Sequence, residues 1–167
     1  ILWVLTLGAW GFVDTVSIIN PVTVLAASAD VEALSWIDEN IPLDARFLIS
    51  VERWQYHLYR GADGGWWIPL LSRRATVLPP GIFYGWGNQS HILDVEERAK
   101  QIAKIDGCTP AFWQFVQKHH VTHIYIGAKG GPLQPDWFDT CSGVYRVYMG
   151  QDVHIYEIRG LTDARRP

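Results

Sequence analysis

Two short apolar runs constrain this chain more than anything else in it: Arg46-Phe47-Leu48-Ile49-Ser50-Val51 and Val121-Thr122-His123-Ile124-Tyr125-Ile126. Each has the length of a strand, and both are nearly continuously apolar. A strand that is apolar on both faces must be covered on both faces, which is the situation of a central strand in an α/β sheet. The residues between the two runs carry helical signals, which a hairpin does not require and a parallel crossover does. The two runs are therefore expected to lie parallel in one sheet, adjacent or one strand apart.

The flanking segments agree with that arrangement. Ser28 or Asp30 caps a helix over 29–40, with Asp30 and Glu32 favourable in its first turn. Leu34, Ile37 and Ile41 form its apolar stripe, and Asn40 with Pro42 stops it. Residues 76–78 make a weaker strand, ended by a double proline. Asp94 followed by Glu97 reads as a capping box for a helix over 95–106. Thr109-Pro110 opens another helix that runs to about His119. Residues 144–149 and 153–158 flank Gly150-Gln151-Asp152 and read as a hairpin. The expected fold class is α/β: a small, mostly parallel sheet flanked by helices, with a C-terminal antiparallel hairpin.

With 167 residues, 49% apolar and 19% charged, the composition is that of one folded domain. A net charge of -3 argues against a nucleic-acid partner, which would select a basic stripe. Nine tryptophans are more than a core this size absorbs, and the surplus points to a ligand groove, an interface or a membrane boundary. The uncharged run from Ile1 to Val13 is shorter than the roughly 20 residues that cross a bilayer, and it lacks the basic flank of a signal peptide. It reads as the end of a transmembrane helix, an interfacial helix or a buried core helix, and Trp3 and Trp10 favour the first. It is expected to be helical, with its apolar side chains exposed or covered by a neighbouring molecule. The chain thus divides into an apolar membrane-proximal segment and linker (1–27), a single α/β domain (28–160) and a tail (161–167).

The most unusual stretch runs from Ala62 to Arg74: Ala-Asp-Gly-Gly-Trp-Trp-Ile-Pro-Leu-Leu-Ser-Arg-Arg. Glycines permit close approach of the backbone, tryptophans offer flat apolar faces, and arginines recognise anions in a planar fork. Ligands of open parallel sheets sit beyond the carboxyl ends of the strands. Glu52 and Arg53 follow the first apolar run, and Lys129 with Gly130-Gly131 follows the second. The candidate ligand-binding set is therefore Glu52, Arg53, Asp63, Trp66, Trp67, Arg73 and Lys129, a mixture suited to a sugar or sugar phosphate. The competing reading is that Trp66 and Trp67 plug the core while the charges are solvated.

Other patterns carry less. His119, His120 and His123 straddle a helix end and a strand start, so their rings should diverge, and no zincin motif surrounds them. Gly127-Ala128-Lys129-Gly130-Gly131 lacks the Lys-Ser/Thr of a phosphate loop, and Pro132 blocks the helix that would cradle a phosphate. No nucleophile elbow or Ser/His/Asp set is visible, so no catalytic residue, metal ligand or cofactor is assigned. Asn88-Gln89-Ser90 fits a glycosylation sequon. Cys108 and Cys141 are not in metal-ligand spacing; they pair in an oxidising compartment or remain two buried thiols.

Taken in order, several motifs resemble one recurring tail. They are Ala29-Asp30, Ala33-Leu34, Trp36-Ile37, Asn40, Pro42 and Asp44-Ala45, then Asp63-Gly64-Gly65-Trp66-Trp67, then residues 121–127, then residues 153–158. The resemblance is to the C-terminal extracytoplasmic domain of bacterial polytopic GT-C-type, mannosyltransferase-like glycosyltransferases and related membrane proteins. It implies that the apolar opening ends a last transmembrane helix and that the domain lies outside the cell membrane. It also implies a polyprenyl-phosphate sugar donor and a catalytic acid in loops this chain does not contain, so no catalytic residue transfers. The expectation is an extracytoplasmic accessory domain, attached to the membrane through upstream helices, that positions a sugar acceptor or lipid-linked donor. Rival readings are a free-standing carbohydrate- or small-ligand-binding module and a small soluble hydrolase using Glu52 and Asp63.

Overall fold

The computed structural model describes Trp3, Gly11 and residues 24–54, 58–79 and 88–159. Five strands form the main sheet: β1 (Arg46–Ile49), β4 (Ala75–Thr76), β5 (His123–Ile126), β6 (Val144–Gly150) and β7 (Val153–Ile158), in spatial order β4-β1-β5-β7-β6. The two apolar runs are parallel neighbours, with Phe47 opposite His123, Leu48 opposite Ile124 and Ile49 opposite Tyr125. β4 extends the parallel half beside β1, whereas β7 joins β5 antiparallel and the β6–β7 hairpin closes the other edge. The chain is thus α/β, with parallel strands at one end of a mixed sheet and an antiparallel pair at the other. A second, two-stranded sheet is the hairpin of β2 (Val51–Arg53) and β3 (Tyr59–Gly61).

Both apolar runs are shorter as strands than their sequence pattern. The first stops at Ile49 because Ser50 turns the chain into the β2–β3 hairpin, where the Ser50 carbonyl accepts from Ala62 N–H at 2.9 Å. The second starts only at His123. His120 adopts a left-handed conformation (φ 52°) and Val121 N–H closes back on the Val116 carbonyl, so both belong to a helix C-terminus.

Among the described residues the helices that cover the sheet are α1 (Ser28–Asn40), α2 (Ile68–Leu71), α3 (Gln89–Ile102), α4 (Pro110–His119) and α5 (Pro135–Asp139). A 3-10 turn over Gly64–Trp67 leads into α2. In β5 and β7, Tyr125 pairs with Ile155 and Ile124 with Tyr156, and residues paired across a sheet share a face. The Tyr125 hydroxyl reaches Asp30 on α1, while the Tyr156 ring lies 5.7 Å from Phe138 of α5. Helices therefore sandwich the sheet, which is why Leu48, Ile49, Ile124 and Tyr125 are all fully buried.

Helix starts show where local chemistry prevails. Thr109 caps α4 as its sequence predicts, its hydroxyl accepting from Phe112 N–H, with Pro110 at the first position. The capping box expected at Asp94 is not a cap. Helix α3 begins six residues earlier, where Asn88 Oδ1 accepts from His91 N–H. Asp94 sits inside the helix, paired with Arg98 one turn on. Asn88, the first residue of the sequon, is thus committed to capping. At α1 the cap residue is Ala27, and Asp30 does the capping from inside, its carboxylate accepting from Ala27 N–H at 2.7 Å.

Cys108 and Cys141 form a disulfide, joining the approach to α4 with the exit from α5. The expectation for residues 1–13 lies outside the described residues except at Trp3 and Gly11, both helical, with Trp3 81% exposed. The tail at 161–167 also lies outside them. Among the described residues no helix is long and apolar enough to cross a membrane.

Candidate functional site

The carboxyl ends of β1 and β5 do hold a concentration of polar groups, and it is sealed. Asp63 ends the segment after β3 and caps the 3-10 turn, Oδ1 accepting from Gly65 N–H at 3.0 Å. Its Oδ2 accepts from Gly127 N–H at 2.8 Å, tying the turn to the loop that follows β5. Asp30 reaches the same place from α1, accepting from the Tyr125 hydroxyl at 2.8 Å and from Ala128 N–H at 3.1 Å. Both aspartates are fully buried.

The glycines are explained by these carboxylates. A Cβ on Gly127 would stand 2.6 Å from Asp30 Oδ1 and 3.1 Å from Asp63 Cγ, so the two acids crowd one point. A Cβ on Gly65 would meet Ile49, Tyr125 and Asp63 together. The sequence feature that suggested close approach to a ligand instead serves close approach of the chain to itself.

Electrostatically this is a pair of acidic groups held by backbone amides and a phenol. Burial pushes the Asp63 carboxyl up to about 7, against the amides of Gly127 and Gly65, which favour its charged form; Asp30 adds a further upward push. Burial and Asp30 likewise raise Tyr125, which stays a phenol and donates. Ser50 Oγ, next to the point that a Gly131 Cβ would occupy, is buried with no hydrogen-bond partner. The cluster stores a proton-sensitive polar contact but offers no opening to a substrate.

The seven candidate residues do not converge on one cleft. Asp63 is inside the knot just described. Trp66 packs inward against the Gly61 backbone, and Trp67 beside it is 40% exposed. Glu52 bonds Arg60 across the β2–β3 hairpin at 2.7 Å, and Arg53 is exposed on the same hairpin. Lys129 is exposed on the loop after β5. Arg73 lies at the opposite end of the sheet. Helix α1 runs from the knot back to the strand starts, and Arg73 meets Asp38 near its far end, about 12 Å along the axis from Asp30 at 1.5 Å per residue. A glycosidase-like pairing of Glu52 with Asp63 is thus unavailable, because Asp63 has no surface to present.

The histidines diverge as expected. His119 packs on Phe115, His120 is an exposed cap, and His123 stacks on Phe47 with Nδ1 2.8 Å from Thr122 Oγ1. Open concavities lie elsewhere. One of about 320 Å³ lies along α3 and α4, lined by Ile105, Phe112 and Phe115 together with Lys104 and Lys118. Another, about 140 Å³, lies between Pro42, His123 and Glu157.

Sequence reasoning missed Asp30 as the partner of Asp63. A tyrosine inside an otherwise apolar strand was the available signal, since a buried phenol requires an acceptor. No family model, no curated protein and no solved structure matches this chain.

Proposed function

We propose that this chain is an extracytoplasmic, non-catalytic accessory domain of a membrane-bound glycosyltransferase-like protein, held at the bilayer by its apolar opening and positioning a sugar acceptor or lipid-linked donor. The observation that carries the compartment is the Cys108–Cys141 disulfide, because such bonds persist where the surroundings are oxidising. The accessory role is supported by the sealing of Asp63 and Asp30: the acids at the strand ends are spent on holding α1, the 3-10 turn and the β5 loop together. The glycosyltransferase context is supported by the motif resemblance across the domain.

Two measurements test this reading. Thiol trapping of the intact chain from its native cells should find both cysteines oxidised; two alkylatable thiols in the folded protein would remove the compartment assignment. Titration with short-chain polyprenyl-phosphate sugars and a glycan array should give saturable binding by the intact chain. Absence of binding to every sugar and lipid-linked sugar would leave a scaffold without a positioning role.

A further inference from the structure

The α1–α2 face carries an apolar surface that the buried knot does not use. Asp38 of α1 bonds Arg73 and Arg74 at the end of α2, and Ser72 Oγ donates to the Leu34 carbonyl, so α2 lies along this side of α1. Val31 stands seven residues before Asp38, two turns up the same stripe of the helix. The adjoining 3-10 turn and α2 carry Trp67, Leu70 and Leu71, spaced i, i+3 and i+4. These four are 56%, 40%, 68% and 51% exposed, whereas Leu43, Leu58 and Leu93 are exposed on other elements. Exposed apolar side chains gathered on adjoining elements form a patch that suits a contact surface.

Its position indicates what covers it. The patch begins at the pole where Asp30 meets Gly64, which is also the pole at which the chain enters the domain through residues 24–27 from the apolar opening. Cations lie toward both ends of α1: Lys129 is exposed on the loop whose Ala128 N–H bonds Asp30, and the Arg73 side chain, 72% exposed, pairs with Asp38. Leucines flanked by a tryptophan, with arginine and lysine at the margin, suit the headgroup boundary of an anionic bilayer. Glu32, the exposed acid of the first turn, lies toward Tyr148, away from the patch.

We propose that the face formed by Val31, Trp67, Leu70 and Leu71 rests on the anionic lipid surface of the membrane to which the chain is attached, with Arg73 and Lys129 meeting lipid phosphates. This rests on the membrane attachment proposed above. It adds that the domain lies on the bilayer in one orientation instead of hanging from a tether.

The test uses the intact chain reconstituted into phosphatidylcholine–phosphatidylglycerol vesicles containing bromolipids, which quench tryptophan at the headgroup boundary. The contribution of Trp67 is taken as the difference between the wild type and Trp67→Phe, with Trp113→Phe as a control on α4. Trp67 should be quenched and Trp113 should not. Leu70→Asp/Leu71→Asp should keep the wild-type circular dichroism and still float with the vesicles, yet lose most of the Trp67 quenching. Omitting phosphatidylglycerol should remove at least half of it. A chain that floats with Trp67 unquenched overturns the docked face and leaves the attachment standing; the same result with self-association through Leu70 assigns the patch to a second copy. Undiminished quenching in pure phosphatidylcholine overturns the anionic requirement. A chain that does not float at all overturns the attachment and this inference together.

Discussion

At the N-terminal end of α1, Asp30 is fully buried against amides and a phenol; at the C-terminal end, Arg74 is 4% exposed against carbonyls. Each charge suits its end of the helix dipole. Arg74 donates to the Ile41, Asp38 and Ser72 carbonyls and also holds the Asp38 carboxylate at 2.6 Å. Asp30 is accompanied by a second carboxyl group, Asp63. One end of the helix is therefore an ion pair completed by hydrogen bonds, and the other is a pair of carboxyl groups held by amides and a phenol. The first should be indifferent to pH near neutrality and intolerant of truncation. The second should respond to pH and be intolerant of added volume.

The largest effect should come from Arg74→Met, which strands three carbonyls and leaves Asp38 without its buried partner. A loss of about 3–5 kcal/mol in urea unfolding is expected, and a loss below 1 kcal/mol would mean that water replaces the guanidinium without cost. At the other end, Gly127→Ala forces a methyl between two carboxylates and should cost about 2 kcal/mol. If it is neutral, the knot is looser than its contacts indicate.

The pH response separates the two ends most directly. The folded value of Asp63, about 7, lies above its ordinary 3.8, so the native state keeps a proton that the unfolded chain releases between those values. The contribution of Asp63 is thus fully present below 3.8 and is lost as pH rises through about 7. His119, pushed down to about 4 by burial and by Arg98 and Lys118, works in the opposite sense over much of the same window. So do His123 and His154, also lowered by burial. The wild-type curve mixes these signs; the difference between the wild type and Asp63→Asn isolates the acid. That difference should move against the wild type as pH rises through the window, and a flat difference would show that the two amides keep Asp63 ionised throughout.

The smallest effect is expected at Arg73, the solvent-facing partner of the same Asp38. It holds a left-handed backbone at φ 55°, so Arg73→Gly exchanges a surface ion pair for relief of strain. A gain of about 0.5 kcal/mol is expected. A clear loss would make the outer arginine part of the ion pair in energy as well as in geometry.

How much of this was legible depends on the range of the signal. The pairing of β1 with β5, the Thr109-Pro110 helix start and the β6–β7 hairpin are written within a few residues each. The start of α3 is expected six residues too late because Asp94 with Glu97 has the pattern of a capping box, whereas the true cap, Asn88, reads only as part of a sequon. The candidate site was legible in place but not in character. Asp63 does lie at the strand ends, yet its burial is decided by Gly127, 64 residues later, and by Asp30 from a different helix. Arg73 was assigned to the wrong end because the 3-10 turn and α2 carry the chain back along α1, a reversal that no local pattern announces.

The sheet order has a consequence for the living chain. β5 is the middle strand, and one of its two neighbours, β7, is made of the last described residues, Val153–Ile158. A ribosome delivers them after the other strands of the sheet, so until then β5 presents a bare edge beside an already apolar surface. Such an edge invites pairing with a stranger. Chains truncated before residue 153 should accordingly be sticky instead of merely less stable, and the nascent sheet should need a chaperone's cover until β7 arrives.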